Sequence, residues 1–206
     1  YSSSKAAAEI VTASYRNSFF PPDRYDEHRV AVATARAGNV IGGGDWSSDR
    51  LIPDFFRSLK LGQPIILRNP GSVRPWQHVL EPLNGYLKLA QKLVLSGPSF
   101  GKSWNFGPCE SDSITVFEIV KLLNNKFPAP VEVEICSSSK SHEAKVLRLD
   151  TSMARVNLGW RPLLTVDMAI TWVADWALSY QRGQDMRSAT EVQIETYQAL
   201  LKGKTI

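Results

Sequence analysis

The sequence predicts an α/β protein, read as the last βα unit of a larger parallel sheet followed by a small α/β lobe. Three observations carry this prediction. The run Val30-Ala31-Val32-Ala33-Thr34-Ala35 is short, apolar and without polar alternation, the pattern of a strand buried on both faces of a parallel sheet. Gly38, Gly42, Gly43 and Gly44 follow it and mark a loop at the C-terminal edge of that strand, where open α/β sheets hold ligands. Strand-like and helix-like segments then alternate along the rest of the chain.

Taken in order, residues 1 to 19 place Ala8, Val11, Ala13, Tyr15 and Phe19 among polar positions, a helical spacing that Pro21-Pro22 ends. From Leu51 a second helix begins with Pro53 in its first turn and closes at Gly62. Ile65-Ile66-Leu67 and Pro75 to Val79 read as short strands around the Asn69-Pro70-Gly71 turn. A long helix from Pro82 to Leu95 precedes a strand at Ser103 to Gly107. A helix from Thr115 to Asn125, a strand from Val131 to Ile135, a helix capped by Thr151 and another from Val166 to Tyr180 follow. The segment after Gly183 is polar, with an amphipathic stretch from Thr190 to Leu201. No internal repeat or low-complexity segment is present.

Composition narrows the function classes. A chain of 206 residues with 43% hydrophobic and 21% charged side chains can bury a core. The net charge of +4 is spread among acidic residues, whereas a nucleic-acid binder masses its basic residues, so no nucleic-acid partner is expected. Local arginines still suit a small phosphorylated ligand. Cys109 and Cys136 form no CxxC and have no matching histidine spacing, so neither a metal site nor a disulfide framework is indicated. No run of 18 apolar residues exists, no membrane partner is expected, and a reduced cytoplasmic setting fits best.

Tyr1 and Lys5 stand four apart at a helix start, so their side chains can meet one ligand. A lysine ammonium beside a phenol favours phenolate and lowers a pKa ordinarily near 10, creating a general base for an alcohol-to-ketone step. Alone, the spacing is too common by chance to assign a function. The other residues singled out also have plain readings: Arg74 as a surface ion pair, Asn39 as a turn residue, Trp46 and Trp76 as packing, His28 as surface loop. Gly42 to Gly44 do not form G-x-G-x-x-G and read as a flexible loop.

The pair sits in Tyr1-Ser2-Ser3-Ser4-Lys5-Ala6-Ala7-Ala8-Glu9, and some thirty residues on comes Arg36-Ala37-Gly38-Asn39-Val40-Ile41-Gly42. Leu51-Ile52-Pro53, Arg74-Pro75-Trp76-Gln77-His78-Val79, Trp104-Asn105-Phe106-Gly107 and Leu158-Gly159-Trp160-Arg161-Pro162 follow. In order and spacing these resemble the C-terminal half of the extended short-chain dehydrogenase/reductase family, the nucleotide-sugar dehydratases and epimerases, over nearly all of residues 1 to 180. Gly43-Gly44-Asp45-Trp46, Arg68-Asn69-Pro70, Ser141-His142-Glu143-Ala144 and Gln184-Asp185-Met186-Arg187 are most similar to the branch that dehydrates CDP-glucose.

The resemblance implies the C-terminal part of a Rossmann-type doubly wound sheet, with residues 1–45 from that domain. Residues 46–206 would be mainly a nucleotide-sugar-binding lobe, with segments returning to the sheet. It implies NAD as cofactor, CDP-glucose as substrate and a homodimer through the helix bearing Tyr1 and Lys5. Tyr1 would take the proton of the sugar 4-hydroxyl while hydride passes to NAD, and Lys5 would hold the nicotinamide ribose and lower the Tyr1 pKa. Gly38 and Val40 would lie by the nicotinamide. Asn39 would contact the sugar and Arg74 the diphosphate, through the paired bonds a guanidinium can make. Leu51, Ile52, Leu67 and Arg68 match positions around the nucleotide, and Asn105 and His142 later substrate contacts.

The glycine fingerprint and the acid/base pair for eliminating water should precede Tyr1. The chain opens without Met inside a helix start, so it is expected to be a piece of a larger protein that alone neither holds NAD nor turns over. Two other readings stay open: another nucleotide-sugar dehydratase or epimerase, and a non-catalytic nucleotide-sugar-binding module.

Overall fold

The computed structural model describes residues 2–136 and 144–203. In chain order its elements are α1 Ser2–Phe19, α2 Tyr25–His28, β1 Thr34–Ala37, β2 Asn39–Ile41, α3 Leu51–Leu61, β3 Ile65–Leu67, β4 Val73–His78 and α4 Leu80–Ser96. They continue with β5 Ser103–Phe106, β6 Ser113–Thr115, α5 Val116–Asn124, β7 Val133–Ile135, α6 Ser152–Asn157, α7 Val166–Gln181 and α8 Met186–Gly203. The chain divides into two compact units.

The first unit comprises Tyr1–Ala37, Pro82–Phe106 and Asp150–Arg161. Its sheet is β1 paired in parallel with β5, from Thr34 opposite Ser103 to Ala37 opposite Phe106. The core is aromatic: Trp104, Phe106 and Trp160 are buried with Leu89, Ala154 and Leu158. Phe106 meets Trp160 edge-on at 5.1 Å. Gly85 of α4 makes room for this cluster, since a Cβ there would lie 2.3 Å from the Phe106 ring. Helix α1, by contrast, buries none of its residues.

The second unit comprises Gly38–Glu81, Gly107–Leu149 and Pro162–Ile206. Strand β4 is central, parallel to β2 and antiparallel to β6, while β3 pairs in parallel with β7. Phe55 of α3, Ile119 and Leu123 of α5, and Ile170 and Val173 of α7 fill the core with Ile65, Leu67 and Trp76. Helix α3 ends on Gly62 in the left-handed conformation, at φ 62°, as its glycine forecasts. Helix α5 begins with a complete capping box between Thr115 and Glu118.

Four local expectations change. The strand expected at Val30 to Ala35 starts at Thr34, because its ladder begins where the Thr34 N–H reaches the Lys102 carbonyl. It is also half-buried and not enclosed, having one strand neighbour among the described residues. Asn39 to Ile41, expected in the glycine loop, form β2 by pairing with residues of β4 far along the chain. β6 was not foreseen; three residues suffice because β4 supplies their partners. Thr151 sits at the start of α6, but its side chain makes no cap. Asp150 Oδ1 instead accepts from Ser152 N–H at 2.8 Å.

Candidate functional site

Tyr1 and His142 lie outside the described residues. The remaining predicted site residues divide between the units. Lys5 and Asn105 belong to the first, and Gly38, Asn39, Val40, Leu51, Ile52, Leu67, Arg68 and Arg74 to the second.

In the first unit Lys5 is exposed on α1. Asn105 lies on β5, and both ends of its amide are engaged. Oδ1 accepts from Arg36 Nε at 3.0 Å, and Nδ2 donates to the Asp150 carbonyl at 3.1 Å. Arg36 and Asn105 are register partners, which is why they meet.

The second unit holds most of the described site residues on separate elements: Asn39 and Val40 on β2 and Arg74 on β4 are on adjacent strands, whereas Leu51 and Ile52 lie on α3 and Leu67 on β3. β2 carries Asn39 and Val40, and its register sets Asn39 opposite Trp76. Val40 is 38% exposed. β4 presents an unusual sequence for a buried strand, since Arg74, Pro75, Trp76, Gln77 and His78 are all buried. Arg74 Nη1 donates to the Val73 carbonyl at 2.8 Å, and Trp76 Nε1 to the Ile114 carbonyl at 3.2 Å. Arg74 as a whole is 7% exposed, so its charge is held within the fold by partners. Leu51 and Ile52 form the first turn of α3, half-buried and buried respectively, while Leu67 is buried at the end of β3 and Arg68 exposed beside it.

Gly42 to Gly44, expected to be a flexible loop, and the residues that follow to Arg50 are braced by side-chain contacts. A Cβ on Gly43 would lie 2.2 Å from the Trp176 ring, so the glycine lets the backbone press against α7. Trp46 packs on Trp176 and Tyr180 at 6.2 and 4.9 Å, as a packing residue. Arg50 pairs with Asp45 at 3.0 Å and Arg68 with Asp49 at 2.8 Å, while Arg57 donates to the carbonyls of Trp46 and Ser47. Burial alone would raise the Asp45 carboxyl, but bonds from Ser47 and the Arg50 guanidinium outweigh it and hold it below the usual range. An open groove of about 540 Å³ lies between α3 and β3, with Arg57, Arg68 and Ile66 among its walls. Both arginines are already paired, Arg57 with Asp54, which also lines the groove, and Arg68 with Asp49.

Sequence reasoning did not single out His78. It is 1% exposed, lies edge-on to Trp172 at 5.4 Å, and accepts from Leu80 N–H through Nδ1 at 3.4 Å. Nε2 has no hydrogen-bond partner among the described residues. Burial lowers its pKa to about 4 from an ordinary 6.5. The unfolded chain therefore binds a proton that the native state refuses between those values. Stability from this group is complete above pH 6.5 and is lost as pH falls through about 4, by roughly 3 kcal/mol. Urea unfolding at pH 7 and pH 4 checks this, with His78→Leu expected to lose part of the acid sensitivity; an unchanged pH slope in that variant would refute it.

The NAD dependent epimerase/dehydratase family model matches residues 1–107. CDP-glucose 4,6-dehydratase of Salmonella typhimurium strain LT2 is 45% identical over 197 residues, covering 96% of this chain and 55% of that protein. dTDP-glucose 4,6-dehydratase of Haemophilus influenzae is 24% identical over 188 residues, covering 86% of this chain and 51% of that protein. The chain thus spans about half the length of the curated relatives it matches. Among solved structures, an NAD-dependent NDP-hexosamine 5,6-dehydratase superposes with a TM-score of 0.68 at 21% identity, over 91% of this chain and 55% of that one. dTDP-glucose 4,6-dehydratase of Bacillus anthracis, solved in complex with NAD, gives 0.64 at 20% identity, over 89% and 53%. These likenesses show the fold alone, an α/β fold of the Rossmann type. With the family model matching half of its length, this chain belongs to the NAD dependent epimerase/dehydratase family.

Proposed function

We propose that this chain supplies the tyrosine–lysine pair and the nucleotide-sugar-binding lobe of a CDP-glucose 4,6-dehydratase. The observation that carries the choice of nucleotide is the 45% identity to the Salmonella enzyme across 96% of the chain, against 24% for a dTDP-glucose relative. In this reading residues 1–45 belong to the dinucleotide-binding domain and residues 46–206 mainly to the lobe. Arg74 takes the diphosphate, and Leu51, Ile52, Leu67 and Arg68 surround the nucleotide. Asn39 orients the sugar, with Asn105 and His142 as further contacts on the substrate side.

Tyr1 is the general base that takes the proton of the sugar 4-hydroxyl, and Lys5 favours its phenolate form. The same tyrosine returns a proton later, so one tuned group serves as base and then acid. Oxidation at carbon 4 makes the neighbouring hydrogen acidic, and water leaves across carbons 5 and 6. The product is CDP-4-keto-6-deoxyglucose. When bound, NAD supplies the acceptance of hydride and its return to carbon 6. Residues of this chain fit such a group: Lys5 is exposed on α1, and Val40 stands out of β2 beside Gly38. Lys5 would hold the ribose, and Gly38 and Val40 would border the nicotinamide.

The assembly that fits is a homodimer. Helix α1 exposes Ile10, Val11 and Phe19, and α4 exposes Leu87 and Val94, apolar side chains that a second copy would cover.

Calorimetric titration of the 206-residue chain with CDP, UDP, GDP and dTDP tests the lobe. CDP is expected to bind tightest by about tenfold or more, and Arg74→Ala to weaken it by about 10–100-fold, the loss of charge-assisted bonds. Equal affinities for the four nucleotides would overturn the CDP assignment. The chain alone is expected not to turn over, and NAD-dependent formation of a 4-keto sugar by it would contradict that.

A further inference from the structure

Helix α1 buries no residue, yet directional bonds tie it to the sheet of the first unit. Glu9 accepts from Thr34 Oγ1 at 2.8 Å and from the Ser103 hydroxyl, and pairs with Arg36 Nη1 at 2.5 Å. Thr34 and Ser103 are register partners, so one carboxylate spans both strands of the β1–β5 pair. Arg16 donates to the Gly101 carbonyl and reaches the Val32 carbonyl at 3.5 Å. Glu9 and Arg16 are seven residues apart, within about 20° of two full helical turns, so they lie on one side of α1. From Arg36 the chain of bonds runs on to Asn105 and the Asp150 carbonyl.

Apolar contact is non-directional and tolerates sliding, whereas hydrogen bonds hold a distance and an angle. With no fully buried side chain on α1, these polar anchors supply directional contacts that restrain its rotation and axial register. Lys5 precedes Glu9 by four residues, on the same face of the helix. We propose that Glu9 is a positioning residue: its carboxylate, tied to Arg36, Thr34 and Ser103, fixes α1 on the sheet and thereby sets where Lys5 stands. The inference rests on the reading of Tyr1 and Lys5 as the catalytic pair. Burial alone would raise the Glu9 carboxyl, but its bonds to Ser103 and Thr34 and the charges of Arg36 and Arg16 outweigh that and keep it ionised.

The test uses Glu9→Ala, which removes the bonds to Thr34, Ser103 and Arg36 and leaves those of Arg16, and Glu9→Gln, which keeps an acceptor for the hydroxyls but not the ion pair. In the protein as expressed from its own gene, amide exchange over Ser2–Phe19 should quicken about tenfold in Glu9→Ala and less in Glu9→Gln, with β4 unchanged. Turnover of the nucleotide sugar should fall about tenfold in kcat in Glu9→Ala, with KM within about twofold and partial rescue in Glu9→Gln, because a small misplacement of a catalytic group costs rate. Unchanged exchange over α1, or a loss confined to KM, overturns the proposal. If Glu9→Ala does not fold, Glu9→Gln decides on the same readings. Absence of turnover in the unsubstituted protein overturns the catalytic reading instead, and the exchange measurement still decides the anchoring by Glu9.

Discussion

Glu81→Ala is expected to lower the free energy of unfolding by about 3–5 kcal/mol, a large share of what a domain of this size has. Glu81 is fully buried at the start of α4. Its Oε1 accepts from the backbone N–H groups of Leu163 and Leu164 at 2.8 and 2.7 Å, and its Oε2 accepts from the Tyr197 hydroxyl at 2.8 Å. One carboxylate thus secures the segment leading into α7 and the body of α8, whose Tyr197 is 3% exposed. Truncation to alanine leaves two backbone donors and a phenol without an acceptor in a dry interior, each costing about 1–3 kcal/mol, and opens a cavity as well. Glu81→Gln keeps one acceptor oxygen and is expected to lose about half as much. Urea unfolding followed by circular dichroism measures both. A loss below about 1 kcal/mol in the alanine variant would mean that these bonds do not hold the helices.

The second large effect is expected at Gly38→Ala, with a loss of stability of about 2–3 kcal/mol. A Cβ at Gly38 would lie 2.5 Å from the Pro75 carbonyl oxygen and 2.9 Å from its Cγ. The obstacle is largely backbone on β4, so no side-chain rotation relieves it. Because Asn39 pairs opposite Trp76, β2 must separate from β4 to admit the methyl group, and Asn39 and Val40 move with it. Gly71→Ala is the control, since nothing lies within 4 Å of a Cβ there. Unfolding midpoints of the two variants provide the comparison. Equal stability of the two would show that the strands accommodate the methyl group without cost.

The sequence by itself determined the features whose physics is local or motif-based. The boundaries of α3 and α5 follow from Gly62 and Thr115, and the period of the apolar residues locates α7, because capping and burial of a stripe act within a few residues. The family followed from Tyr1, Lys5 and the Arg36 to Gly42 segment taken together. Tertiary structure alone decided which residues complete ladders. Asn39 to Ile41 became a strand and Val30 to Ala33 did not, since a strand is defined by its partner and that partner lies tens of residues away. It alone decided that a run as polar as Arg74, Gln77 and His78 would be buried, and that Glu9 and Glu81 would be anchors. A carboxylate reads the same in a sequence whether water or three donors surround it, and only the folded chain supplies the donors.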